Sequence, residues 1–141
     1  MTILCYHSVQ DDWQSPLAVT REAFREQARW LREHTDVVGL EDAVDRLDSS
    51  GRLPAGTTVL TFDDGFAALH DNVVPVLAEL RLPAIIFLVA ETLVPPGRAV
   101  DWVDTPPPFP LQTLTRDQVL RMQDAGVRFR SEEHTSELQS Q

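Results

Sequence analysis

One stretch, residues 58–66, constrains the fold more than any other part of the chain. It reads Thr-Val-Leu-Thr-Phe-Asp-Asp-Gly-Phe, so a strand-like apolar run ends in two adjacent carboxylates and a glycine. Adjacent side chains on an extended strand point to opposite sides, and Gly65 permits the backbone to bend there. A bent strand end can hold Asp64 or Asp63 at a metal and leave the other carboxylate beside it. Asp-Gly is also a common turn pair, so a strand that simply enters a loop is the alternative.

Strand-like and helix-like segments alternate along the rest of the chain. The strand-like runs span residues 2–6, 58–62, 84–89 and 127–129, and a short strand or connector lies at 37–39. The helix-like runs span residues 20–33, 40–49, 71–80 and 115–125. This order predicts an α/β fold with a mainly parallel sheet. In such sheets, ligands bind at the carboxyl ends of the strands, which is where the acidic pair lies.

Helical spacing predicts which faces of the helices are buried. In the first helix, Thr20 is the expected N-cap, and the apolar residues that share a face are Phe24, Ala28 and Leu31. In the second helix, the residues expected to face inward are Ala43, Val44 and Leu47. The third helix is expected to be capped by Asp71 or Asn72 and to hold Pro75 in its first turn. Thr115 to Gln118 forms a capping box for the last helix, whose inward residues are Val119, Met122 and Ala125.

Composition narrows the class of protein. The chain has 141 residues, 43% of them hydrophobic, which suits one small globular domain. Its formal charge of −10 argues against nucleic acid as a partner. No apolar run reaches the roughly eighteen residues of a membrane span. The first residues lack the pattern of a signal peptide, so the compartment is unknown and cytoplasmic by default.

Two further segments and one cysteine carry separate expectations. Cys5, the single cysteine, excludes an internal disulfide, and its strand context favours a buried core position over a nucleophile. The proline-rich segment 94–110 is expected to be a surface loop in which Asp101 and Trp102 line a cleft or anchor the loop. Residues 130–141 resemble a translated sequencing adapter. They are predicted to be a non-native polar tail that follows a domain at residues 1–129, and an ordinary polar C-terminus is the alternative.

Three motifs together resemble a known family. They are Tyr6-His7 after the first strand, Thr-Phe-Asp-Asp-Gly-Phe at 61–66, and Leu-Pro-Ala-Ile-Ile-Phe at 82–87. The set is similar to the NodB-homology domain of polysaccharide deacetylases, carbohydrate esterase family 4, and more like its exopolysaccharide branch. The resemblance implies that the chain is the N-terminal part of a distorted, incomplete (β/α) barrel.

The resemblance also implies roles for residues. Asp63 is implied as the general base, Asp64 as a ligand of a divalent metal, usually Zn²⁺, and His7 as the general acid. A capping or core histidine is the alternative for His7. The family completes its metal site with a Gly-Ser-His-Thr-x-x-His motif, but Arg-Ser-Glu-Glu stands at 130–133 in this chain. His134 is therefore not assigned to the metal, and the remaining histidine ligands are expected to be missing from this chain.

The implied function is hydrolysis of N-acetyl or O-acetyl groups on a polysaccharide by metal-activated water. The chain itself is expected to be a truncated, inactive fragment of such an enzyme. A Mg²⁺-dependent phosphatase-like site is one alternative, but such sites have an Asp-x-Asp spacing, whereas Asp63 and Asp64 are adjacent. Response-regulator receivers pair adjacent acids near their first strand and need a later phosphoacceptor Asp that no strand here supplies. A carbohydrate-binding relic of the same fold, with no metal requirement, is the non-enzyme alternative.

Overall fold

A computed structural model describes residues 1–94 and 98–132 of the chain. The strands are β1 (Thr2–Tyr6), β2 (Ser8–Val9), β3 (Ala18–Val19), β4 (Asp36–Val37), β5 (Thr57–Phe62), β6 (Ile85–Val89) and β7 (Arg128–Glu132). The α-helices are α1 (Arg21–His34), α2 (Leu40–Ser50), α3 (Ala68–Asn72), α4 (Val74–Leu80) and α5 (Arg116–Asp124), and a 3₁₀ turn spans Ala90–Thr92. The part of the proline-rich segment at 95–97 and the part of the predicted tail at 133–141 lie outside the described residues.

The main sheet is parallel, as predicted. Its strands run in the order β1-β5-β6-β7, and β4 pairs with the beginning of β5. β5 is the central strand: Phe62 pairs with Tyr6 of β1 and with Ile86 of β6. All six residues of β5 are buried. A parallel strand that is covered on both faces is buried along its whole length, and the β-branched Thr and Val residues of this run suit such a strand.

The two faces of β5 contribute to two apolar clusters. Leu60 and Phe62 lie in the main core with residues from α1, α3, α4, α5 and β6. Val59, on the opposite face, packs in a smaller cluster with Val38 and Ala43. The alternation follows from the two-residue period of a strand. The end of β5 is therefore held from both sides before the chain reaches the acidic pair.

Two helix starts are as predicted. The Thr20 hydroxyl accepts a hydrogen bond from the backbone N–H of Ala23 at 3.2 Å, and the buried residues of α1 are Phe24, Ala28 and Leu31. At the start of α5, both bonds of the capping box are present between Thr115 and Gln118. These contacts satisfy backbone donors that a helix leaves open at its N-terminus.

The predicted inward face of α2 is partly wrong. Ala43 is buried, but Val44 is 47% exposed and Leu47 is 43% exposed. Periodicity shows which face of a helix is apolar, but it does not show whether another element covers that face. Ala125 of the last helix is likewise exposed rather than inward.

The predicted helix over 71–80 is two helices, α3 and α4, that meet at Val73. Pro75 lies in the first turn of α4 as expected, because a proline inside a continuous helix would lack the N–H that bonds one turn back. Asn72 does not cap α4. Its side-chain amide donates to the Val9 carbonyl at 2.7 Å and so ties this break to β2.

The edges of the sheet differ from the prediction. β1 was expected to be buried, but Ile3 is 52% exposed and Cys5, on the same face of the strand, is also exposed. Among the described residues, β1 pairs with β5 alone. At the other edge, β7 continues to Glu132, three residues beyond Phe129, through pairing with β6. Backbone pairing is largely independent of side chain, so the strand extends into the segment predicted as a tail. Within the described ranges, no helix has the length and apolar character to cross a membrane.

Candidate active site

The chain bends sharply where β5 ends. Asp64 has a φ of 72° and Gly65 a φ of 64°, so two consecutive residues adopt the left-handed conformation. This conformation is uncommon for a residue with a side chain. At position 65, a Cβ atom would lie 2.6 Å from Cδ2 of Leu88, so the close approach of β6 also requires glycine. The bend expected from the Asp-Asp-Gly sequence is present.

The bend sends the two carboxylates into different surroundings. Asp64 is buried, with 2% of its surface exposed. The Asp63 side chain is 29% exposed and lies beside His7, which is exposed to the same degree. The backbone N–H of Asp63 donates to the Tyr6 carbonyl at 2.8 Å, which extends the β1–β5 pairing by one residue. His7 and Asp63 therefore follow the paired ends of two neighbouring strands.

Cys5, His7 and Asp63 form one cluster. Nε2 of His7 lies 3.8 Å from Oδ2 of Asp63, close enough for an ion pair when the imidazole is protonated. The Cys5 thiol donates to the same Oδ2 atom at 3.2 Å. The buried-core prediction for Cys5 was wrong because Cys5 shares the face of His7, two residues on, and not the buried face of Tyr6. The Cys-x-His spacing beside an acidic strand end was the signal available in the sequence.

Tyr6 fixes the opposite face of this strand end. Its ring packs edge-on against Phe24 at 5.3 Å and stacks on Phe62 at 5.4 Å. Its hydroxyl donates to Oε1 of Gln27 at 2.6 Å. Burial raises the pKa of Tyr6 above its usual value of 10.0. The core thus anchors the residue between Cys5 and His7, which limits how far those two side chains can move.

A second segment of backbone supports the bend. Leu114 donates its N–H to the Gly65 carbonyl and Ala67 donates to the Gln112 carbonyl, both at 2.8 Å. Trp13 packs edge-on against Phe66 at 5.7 Å. These contacts support the turn after Asp64, in addition to the close approach of β6.

The proline-rich loop is attached to the same region. The buried Trp13 donates its indole N–H to the Thr105 carbonyl at 2.9 Å. Arg98 forms ion pairs with Glu91 at 3.2 Å and with Asp101 at 2.9 Å, and its guanidinium lies 5.1 Å from the centre of the Trp102 ring. For Asp101 and Trp102, these contacts favour the anchoring interpretation over a cleft.

The chain supplies only part of a metal site at Asp64. A buried carboxylate is a suitable donor because coordination to a cation replaces the water that it has lost. A zinc site needs three or four protein ligands, and a carboxylate alone is insufficient. The histidine motif expected after Phe129 does not occur in the sequence, and His134 lies outside the described residues. The roles of Asp63, Asp64 and His7 therefore stay predictions.

Comparison with known proteins gives a family match and curated relatives. The family model described as polysaccharide deacetylase matches residues 50–140. A poly-β-1,6-N-acetyl-D-glucosamine N-deacetylase from Escherichia coli strain K12 is 33% identical over 106 residues, which cover 73% of this chain and 14% of that protein. The protein of the same name from Escherichia coli O157:H7 matches to the same extent. The chain thus spans about one seventh of the length of these curated relatives.

Solved structures give the fold. A de-N-acetylase from Aggregatibacter actinomycetemcomitans matches with a TM-score of 0.73 and 26% identity, over 92% of this chain and 53% of that one. IcaB from Ammonifex degensii matches with a TM-score of 0.75 and 27% identity, over 97% and 53% of the two chains. The chain therefore spans about half the length of these structures. The likeness confirms the predicted α/β fold as part of a (β/α) barrel.

Proposed function

Because the chain belongs to the polysaccharide deacetylase family, we propose that it forms part of a hydrolase that removes N-acetyl groups from a polysaccharide. The observation that carries the proposal is the bend after β5. There, Asp64 is buried and Asp63 is partly exposed, with its Oδ2 atom 3.8 Å from Nε2 of His7. Two adjacent acids in different surroundings, with an imidazole beside one of them, suit a reaction that needs both a cation ligand and proton transfer.

Asp63 is proposed as the general base and His7 as the general acid. Both side chains are 29% exposed, so water and substrate can reach them. A carboxylate beside the attacking water can accept its proton, and an imidazole can protonate the leaving amine because its pKa lies near neutrality. The Tyr6 ring, buried on the other face of the strand, keeps the backbone of His7 beside that of Asp63.

Asp64 is proposed as one ligand of a divalent cation, with Zn²⁺ as the proposed ion. When bound, such an ion supplies a water with a pKa of about 7 and polarises the acetyl oxygen. Asp64 would contribute one carboxylate oxygen, held in place by the left-handed backbone at 64 and 65. The remaining histidine ligands are proposed to belong to the native protein and not to this chain.

The substrate is proposed to be an acetylated polysaccharide of N-acetylglucosamine. The support is the name of the Escherichia coli relatives, which act on poly-β-1,6-N-acetyl-D-glucosamine. This favours N-acetyl over O-acetyl groups. The formal charge of −10 argues against nucleic acid as a partner.

We further propose that residues 130–141 are non-native and that the 141-residue chain is inactive. The support is the sequence after Phe129, which has Arg-Ser-Glu-Glu where the family has Gly-Ser-His-Thr. If residues 130–141 were native, the same sequence would instead favour a second candidate function, a carbohydrate-binding relic that needs no metal. The adjacency of Asp63 and Asp64 continues to count against a phosphatase-like site.

Acetate release from N-acetylglucosamine oligomers tests the proposal. Two proteins are compared: this chain, and the product of the uninterrupted reading frame that contains residues 1–129. We expect zinc-dependent turnover only from the second protein. In that protein, Asp63→Asn should lower kcat by about 10²- to 10⁴-fold, the usual contribution of a general base.

Asp64→Asn should abolish zinc-dependent turnover. Asp45→Asn, at an exposed site on α2, should change neither kcat nor the dependence of turnover on zinc. Turnover by the 141-residue chain comparable to that of the longer protein would refute the proposed inactivity. Zinc-independent glycan binding by the longer protein, with no acetate released, would favour the relic instead.

A further inference from the structure

We propose that Cys5, His7 and Asp63 form a binding site for one thiophilic divalent cation, at a position distinct from that of Asp64. Each residue offers one ligand atom, and the three atoms lie within 4.8 Å of one another. Oδ2 of Asp63 is the shared neighbour, 3.2 Å from Sγ of Cys5 and 3.8 Å from Nε2 of His7. A thiol, an imidazole and a carboxylate are the donors that bind Zn²⁺ and related ions in proteins.

The parallel pairing of β1 and β5 creates this arrangement. Cys5 and His7 are two residues apart, so their side chains leave the strand on the same face. Cys5 pairs with Thr61, and the hydrogen bond from the Asp63 N–H to the Tyr6 carbonyl continues the ladder to Asp63. Backbone pairing therefore fixes the three attachment points before any ion binds, so little chain entropy is lost on binding.

The distances suit a tetrahedral ion. Metal bonds of about 2.3 Å to sulfur and about 2.0–2.1 Å to nitrogen and oxygen place neighbouring ligand atoms roughly 3.3–3.6 Å apart. The separations to Oδ2 of Asp63, 3.2 and 3.8 Å, lie on either side of that range. The ligand atoms of Cys5 and His7 lie within 4.8 Å of each other, so side-chain rotations are needed to close the site. Water would take the fourth position. Binding converts the Cys5 thiol to a metal-bound thiolate and releases its proton to the buffer, so no oxidant or reductant is required.

Access and position distinguish this site from Asp64. Cys5 is exposed, and the side chains of His7 and Asp63 are each 29% exposed, so a hydrated ion can reach them. Asp64 is 2% exposed and is itself the first residue of the left-handed bend. An ion at this cluster would also engage both groups to which proton transfer is assigned. Such an ion would therefore inhibit the deacetylase. This inhibition rests on the proposed function, whereas cation binding does not.

Titration of the reduced 141-residue chain with Cd²⁺ or Co²⁺ tests the proposal. Thiolate-to-metal charge-transfer absorption is followed, and Cys5 is the single cysteine, so the band reports this site alone. We expect a saturable band at one ion per chain that Cys5→Ser removes. His7→Gln and Asp63→Asn should each weaken binding by more than about tenfold.

Asp64→Asn is the matched control and should leave the band in place. Asp64→Gly, which suits the left-handed backbone, serves the same purpose if the first variant fails to fold by circular dichroism. A missing band, a band unaffected by His7→Gln and Asp63→Asn, one ion shared by two chains, or a band lost from folded Asp64 variants would each overturn the site. A normal band together with a longer protein that releases no acetate would leave this site standing and remove the deacetylase proposal.

Discussion

At the scale of single residues, the two adjacent carboxylates at the end of β5 lie in different surroundings. Residues 64 and 65 have φ values of 72° and 64°, so the chain turns at the end of β5 and the extended strand conformation ends there. Asp63 lies beside His7 at the carboxyl ends of β5 and β1, and the Asp64 side chain is buried. Identical side chains at adjacent positions thus have different chemical settings.

Gly65→Ala should destabilise the chain. The left-handed conformation costs an L-residue about 1–2 kcal/mol, and the new Cβ would lie 2.6 Å from Cδ2 of Leu88. We expect the free energy of unfolding in urea to fall by about 1–3 kcal/mol. Gly51→Ala is the matched control, because Gly51 has a φ of 77° and no atom within 4 Å of a built Cβ. An equal loss at both positions would show that the Leu88 contact costs nothing.

Tyr6 predicts the behaviour of the chain at alkaline pH. Burial raises the pKa of its hydroxyl above 10.0 in the folded state. The folded chain therefore holds this proton more tightly than the unfolded chain, so its stabilising effect is full below pH 10 and is lost as pH rises through the raised pKa.

Tyr6 is the single tyrosine, so tyrosinate absorbance reports its titration directly. The midpoint should lie higher in buffer than in urea, and Tyr6→Phe should remove that part of the alkaline loss of stability. Equal midpoints in the folded and unfolded chain would contradict the prediction.

The sequence predicted the bend but not the setting of Cys5. An Asp-Asp-Gly sequence after an apolar run predicts a turn from local sequence alone, since glycine adopts positive φ without steric cost. Whether Cys5 is buried depends on what covers one face of β1, and that is decided by the neighbours of the strand in space. Its proximity to Asp63 depends on the register of β1 against β5, which the pattern of one strand does not contain.

At the scale of elements, local signals located the helix starts. Thr20 and Thr115 both cap the helices that their sequence context predicted. The break between α3 and α4 was missed because Pro75 is compatible with a first helical turn wherever that turn begins. The exposed Val44 and Leu47 show the complementary limit, since amphipathic spacing carries no information about the packing partner.

Thr115→Ala should cost about 1 kcal/mol of stability by removing one half of the capping box. The Thr115 hydroxyl accepts from the Gln118 N–H at 3.2 Å, and the Gln118 side chain accepts from the Thr115 N–H at 2.9 Å. Thr115→Ser keeps the hydroxyl and is expected to retain most of the stability in thermal or urea unfolding. If serine and alanine were equally destabilising, the methyl group and not the cap would be responsible.

At the scale of the whole molecule, β1 leaves one side of the sheet open. Among the described residues, β1 pairs with β5 alone, and the side chain of Ile3, in β1, is 52% exposed. An exposed strand edge with apolar side chains is a template for pairing with another chain. The purified 141-residue chain is therefore expected to self-associate.

Ile3→Lys should reduce that self-association, because a lysine on an edge strand opposes pairing with a second strand. Sedimentation velocity at increasing protein concentration would show smaller average species for the variant than for the parent chain. Leu120→Lys is the matched control, since Leu120 is an exposed apolar residue on α5 rather than on the edge strand. Equal effects of the two substitutions would point to general hydrophobic attraction instead.

The bond from Trp13 to the Thr105 carbonyl spans 92 positions of sequence. Trp13 also packs against Phe66, and Gln112 and Leu114 form backbone hydrogen bonds with Ala67 and Gly65 in the same turn. A deletion between Arg98 and Pro110 would remove the hydrogen-bond acceptor of Trp13, which packs against Phe66 just after the acidic pair. Shortening this loop is therefore expected to disturb the region in which the reaction is proposed to occur.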